Sequence, residues 1–118
     1  MFEDRLEHIC KKIDGAVAAT LVDNDGITVE SYTDNGNIDL EALVAELLAQ
    51  TSTIAREHRE LDLGELRQLS VTTDRFTILV SSLTGDYSLL LVLSNKGSYG
   101  RARFELRRAL LEFESDLV

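Results

Sequence analysis

Cys10 follows His8 by two residues, and such a pair could set a thiol nucleophile beside a base. Cys10, however, lies on the apolar stripe that Phe2, Leu6, Ile9 and Ile13 draw at helical steps, so it reads as a small core residue. His58 falls on the apolar stripe of a long helix, near its end, where a histidine satisfied within the fold or placed at the helix dipole fits better than a ligand. Asp23 and Asp25 are paired carboxylates within DNDG, residues 23–26. Asp, Asn and Gly account for that segment as a turn, whereas a calcium loop of the EF-hand type needs a longer ligand set ending in Glu. The segment SNKGSYG, residues 94–100, could hold an anion on backbone N–H groups but lacks the GxxxxGK[ST] spacing of a nucleotide loop. Arg56, Arg59, Arg101, Arg103, Arg107 and Arg108 raise the idea of an arginine finger supplied to another protein, while Glu60 and Glu105 stand close enough in sequence to pair with several of them. No catalytic residue, cofactor or metal site is expected, and the chain is not expected to be a GTPase itself.

With 118 residues, 44% hydrophobic and 28% charged, the chain is long enough for one domain with a real core, residues 1–118. A single cysteine excludes an internal disulfide and a CxxC metal site, so packing must hold the fold. No apolar run approaches the roughly 20 residues that span a bilayer, and MFEDRLEHICKK mixes acids and bases unlike a signal peptide. A cytoplasmic protein without membrane insertion is expected. The net charge of −9 argues against nucleic acid, which needs a basic stripe. Residues 1–60 hold 13 acids and 5 bases, whereas residues 61–118 hold 8 acids and 7 bases. That acidity serves solubility or selects a partner with a basic patch.

These side chains need elements to carry them, and the residue periods supply an order. A first helix ends at Asp14-Gly15. Strands follow at 16–22 and 27–33, joined through DNDG, with Thr28, Glu30 and Tyr32 on one side of the second and Ile27, Val29 and Ser31 on the other. A polar loop at 33–38 leads to a long helix over 39–61, capped by Asn37 or Asp39. After the short link LDLG come LRQLSVTT, RFTILVSSL and YSLLLVL as a meander broken at Asp74 and at Thr84-Gly85-Asp86. A last helix repeats Ala102, Leu106, Ala109, Leu110, Phe113 and Leu117. AVAATLV and YSLLLVL are apolar on nearly both faces and belong at the centre, whereas ITVESYT and LRQLSVTT have one polar face and belong at edges. The expected fold is α/β (α+β), α-β-β-α-β-β-β-α. Its five-stranded antiparallel sheet takes the order 2-1-5-4-3, with the second helix on one face and the first and third on the other.

The long helix has two faces of different use. Leu40, Leu43, Leu47, Thr51, Ile54, His58 and Leu61, flanked by Val44 and Leu48, form a core stripe. Ala42, Ala45, Ala49 and Arg56 lie close to the opposite side, where solvated helices usually carry Lys and Glu. Alanine serves helix propensity, or it lets another backbone approach. The third strand is next in sequence and forms an open edge, so a second copy could pair there strand to strand and helix to helix.

The element order, the hairpin LVDNDGITVESY, the Ala-rich second helix and the ending NKGSYGRARFELRRAL together resemble a Roadblock domain. That module is shared by the dynein light chains of that name and bacterial MglB-type regulators of Ras-like GTPases. The resemblance covers nearly the whole chain and is most specific at residues 101–109. It implies a homodimer, or a heterodimer with a related chain, whose second helices lie side by side on a sheet running through both copies. It also implies a Ras-like small GTPase docking across or beside those helices. Carried onto this chain, the positions at issue are Ala42, Ala45, Ala49, Ser52, Thr53 and Arg56 on the helix, and Arg67, Leu69, Val71 and Thr73 on strand three. The resemblance leaves open a GTPase activator and a nucleotide-independent scaffold. A ligand sensor of the PAS or profilin-like kind shares the layout, but few aromatic residues are available to line its pocket.

Overall fold

The computed structural model describes residues 2–23, 25–34, 38–83, 87–94 and 99–117, with side chains between Arg5 and Glu112. The elements are α1 (Phe2–Lys12), β1 (Ala16–Asp23), β2 (Thr28–Thr33), α2 (Leu40–Glu60), β3 (Gln68–Thr72), β4 (Phe76–Ser82), β5 (Tyr87–Ser94) and α3 (Tyr99–Leu117). The strands form one antiparallel sheet in the order β2-β1-β5-β4-β3. The central place of β1 and β5 follows from side chains that are apolar above and below the sheet, since only a strand covered on both faces profits from burying both.

Two cores flank the sheet. One joins Leu6, Ile9, Cys10 and Ile13 from the α1 region and Ala102 and Leu106 of α3 to Ala19, Leu21, Leu79, Leu89, Leu91 and Leu93. The other sets Val44 and Leu47 of α2 against Ala18, Val22, Ile78, Val80, Leu90 and Val92. Neighbouring positions of β5 thus feed opposite cores, as the two-residue period of a strand requires.

Local chemistry places the connections. Gly15 turns the chain out of α1 at φ +88°, and Gly26 closes the β1–β2 turn at φ +81°, conformations open to glycine without a Cβ clash. In that turn one Asp23 carboxylate oxygen accepts from the backbone N–H groups of Asp25 and Ile27, both at 2.9 Å. Asp39, not Asn37, caps α2, its carboxylate accepting from the Ala42 N–H at 3.1 Å. Asn37 lies outside the described residues, as do Asn24, residues 84–86 and 95–98, and the side chains of Phe2, Phe113 and Leu117.

Several expectations are corrected. β3 is shorter than LRQLSVTT: Arg67 precedes it and Thr73 follows it. Arg67 keeps one bond to the neighbouring strand, its carbonyl accepting from the Ser82 N–H at 3.0 Å. Thr73 is a turn residue, its hydroxyl accepting from the N–H groups of Arg75 and Phe76 at 3.3 and 3.1 Å. Leu61 is not core but 68% exposed, because the chain leaves α2 there and turns through Asp62 at φ +61°. The alternation of residues 27–33 is interrupted by a register shift opposite Leu21 and Val22. Thr28 and Val29 are both exposed, and half-buried Glu30 and Tyr32 alternate with exposed Ser31 and Thr33 only beyond that point. Ser94 ends β5, and Tyr99 and Gly100 already belong to α3 rather than to the preceding loop.

Candidate functional site

Of the 21 residues of α2, only Val44 and Leu47 are fully buried. Leu40, Leu43 and Leu48 pack partly on the same core, and Thr51, Ile54 and His58 are half-buried. The opposite face is open: Ala42, Ala45, Ala49, Ser52, Thr53 and Arg56 are all exposed. The hydroxyl of Thr53 donates to the Ala49 carbonyl at 3.2 Å, so it is satisfied within its own helix. What remains is a row of small side chains, Ala42, Ala45, Ala49, Ser52 and Thr53, bordered by the exposed Glu46, Gln50, Arg56 and Glu57; along the row another backbone can approach closely.

Beside this helix β3 pairs only with β4, so its outer edge is free among the described strands. Leu69 and Val71 pack partly against the core beneath α2 and stay half-covered. The structure therefore brings the expected positions of α2 to the same face of the sheet as Leu69 and Val71, while Arg67 and Thr73 flank the strand.

The candidate chemical groups are occupied structurally. His58 is satisfied within α2: its Nδ1 lies 2.9 Å from the Ile54 carbonyl, which only accepts, so this nitrogen carries the proton. Arg59 pairs with Glu65 at 3.3 Å across the helix end, not with Glu60. Glu105, nearly buried, faces Arg101 and Arg108 at 3.8 Å each. Arg56 is exposed and makes no ion pair with a described residue.

Cys10 is buried, and burial, with a smaller contribution from the charge of Asp34, pushes its thiol up to about 12. The folded protein thus holds the thiol proton more tightly than an unfolded chain near 9.0. That contribution to stability is complete below about pH 9 and is lost as pH rises toward 12. Cys10 should therefore react with a disulfide reagent at pH 8 far more slowly in the native protein than in urea. Cys10→Ala should cost on the order of 1 kcal/mol by urea unfolding and leave partner binding intact. Fast native labelling would contradict this.

The described residues thus set an open helix face on the same side of the sheet as the edge strand β3. The chain belongs to the Roadblock/LC7 domain family, which matches it over residues 6–94. The match ends before residues 101–109, so the stretch that looked most specific in the sequence lies outside it. Among solved structures the fold is similar to Myxococcus xanthus MglB, at a TM-score of 0.88 and 16% identity over 98% of this chain and 93% of that one. A Roadblock/LC7 domain from Streptomyces avermitilis is similar at a TM-score of 0.86 and 15% identity, over 98% and 96% of the two chains. MglC from Myxococcus xanthus is 27% identical over 98% of both chains, at a TM-score of 0.70. No curated protein matches the sequence.

Proposed function

We propose that the protein is a dimeric regulator of a Ras-like small GTPase that works through a surface formed by two copies of α2. The observation that carries this is the exposed row Ala42, Ala45, Ala49, Ser52 and Thr53 beside the free edge of β3 with its half-covered Leu69 and Val71. A second copy joining there would cover the half-exposed apolar side chains and remove the edge. The family relation to MglB-type regulators supports a GTPase as the third partner.

The regulator supplies no catalytic residue of its own. It changes hydrolysis by binding one conformation of its partner's switch segments more tightly than the other. Arg59 and Arg101 are tied to carboxylates, which disfavours either as an arginine finger and makes Arg56, exposed on α2, the position where the two mechanisms are told apart. A pull-down with the Ras-like GTPases of the same organism, loaded with GDP or a non-hydrolysable GTP analogue, tests the proposal. Binding should be at least about tenfold tighter in the GTP state, and Arg56→Ala, Arg59→Ala and Arg101→Ala should each weaken it only modestly. Equal binding of both states would replace the regulator with a nucleotide-independent adaptor. Loss of hydrolysis with binding intact in one arginine variant would restore the finger.

A further inference from the structure

On the other face of the sheet, β3 and β4 meet α3 along a groove of about 600 Å³ open to solvent. Its floor is polar: Gln68 donates to the Ser81 hydroxyl at 3.0 Å. Its wall is α3, which brings Arg103, Phe104, Arg107 and Leu111 toward β3, while Arg67 stands at the start of that strand. Tyr99 ties the start of α3 to β3, its hydroxyl lying 3.4 Å from that of Ser70, and Arg103 sits over its ring at 5.8 Å.

Two features of this groove call for an occupant. Phe104 and Leu111 are 61% and 69% exposed, seven residues and so about two helical turns apart, the spacing at which a helix presents successive anchors on one face. Among the described residues, Arg67, Arg103 and Arg107 make no ion pair and no acidic side chain lines the groove. Three guanidinium groups gathered without a described carboxylate against them are unusual on a chain of net charge −9, where carboxylates are plentiful. We infer that this groove docks an acidic amphipathic segment of a partner protein, whose carboxylates meet Arg67, Arg103 and Arg107 while its apolar side chains cover Phe104 and Leu111. A helix laid in a groove reads its anchors in this way, and guanidinium forks suit carboxylates. Nucleic acid fits less well, since the strongly acidic remainder of the chain repels an extended polyanion.

Phe104 and Arg107, the side chains tested, and Leu111 belong to α3, on the sheet face opposite α2, so docking on them does not need the α2 surface; Arg67 borders the β3 edge that the proposed dimer uses and is left out of the test. A fluorescein-labelled synthetic peptide of Glu and Leu, with leucines at i, i+4 and i+7, serves as the probe in fluorescence anisotropy. Beside it run its Lys-for-Glu counterpart and an unlabelled oligoadenylate competitor. The acidic peptide should bind and weaken with salt, and Arg107→Glu and Phe104→Ser should each lower its affinity by about tenfold or more. Both side chains are exposed, so circular dichroism should show both variants folded. Ala45→Arg, which addresses the α2 surface, should leave peptide binding unchanged. The inference falls if the acidic peptide does not bind, if the Lys peptide binds equally, or if both groove variants bind as the wild type does. It falls equally if oligoadenylate displaces the peptide at matching concentrations, which would make the groove a general polyanion surface.

Discussion

Ala45→Arg should turn the purified protein from a dimer into a monomer at tens of micromolar, the largest change in assembly expected from one substitution. Ala45 is exposed on α2, and the helix needs nothing from its side chain except helix propensity. Within one chain the arginine extends into water, so the fold and its circular dichroism should be unchanged. Between two closely packed α2 helices it has no room, and burying its charge there costs association even though Glu41 stands one turn before it. Forcing a bulky charged side chain between two packed helices costs several kcal/mol, so association should fall by about a hundredfold or more. Ala49→Glu should act in the same direction, with a carboxylate as the misplaced charge. Multi-angle light scattering reads the result directly. A wild type that is already monomeric at these concentrations would remove the α2 interface, and an Ala45→Arg protein of unchanged mass would move it elsewhere. GTPase binding should fall with dimerisation if both copies of α2 form the docking surface.

Leu91→Ala should have the largest effect on stability. Leu91 is fully buried in β5, with Ala19 of β1 on one side and Leu79 of β4 on the other, both fully buried as well. Truncation there leaves a cavity that cannot collapse, because neighbours on both sides are held in strand register. The expected loss is about 3 kcal/mol, with a melting temperature lower by roughly 10 °C. Urea unfolding should show a lower midpoint at an unchanged slope. A loss below about 1 kcal/mol would mean that the core under α1 and α3 repacks more freely than its density allows. The contrast with Ala45→Arg separates the two functions of the chain: one variant is unstable with an intact surface, the other stable with a broken one.

What the residues determined alone is the set of elements and the order of the strands. A strand apolar on both faces, such as residues 87–93, belongs where both faces are covered, and that property is written in the strand itself. The two-faced character of α2 was legible for the same reason, since a helix turns its residues to fixed sides whatever packs against them. Placement of Ala42, Ala45 and Ala49 on the exposed side needed only that period. The turns were legible through Asp23, Gly26 and Asp39, which act within a few residues of themselves.

Tertiary structure decided where elements end and which side chains meet. Leu61 continues the stripe of α2 by its spacing, yet the chain turns away at Asp62 and the side chain is exposed. Arg59 had Glu60 as its sequence neighbour, but the turn after α2 folds Glu65 back to it. Most of all, the groove joins Arg67 and Gln68 to Phe104 and Arg107. Periodicity reports which side of its own element a residue occupies, whereas a groove between β3 and α3 exists only once the sheet order has brought them together. The same arginines that read in sequence as partners for neighbouring glutamates are thus divided by the fold. Arg101 and Arg108 turn to Glu105, while Arg103 and Arg107 face the groove, because α3 lays one side on the core and its flank along β3.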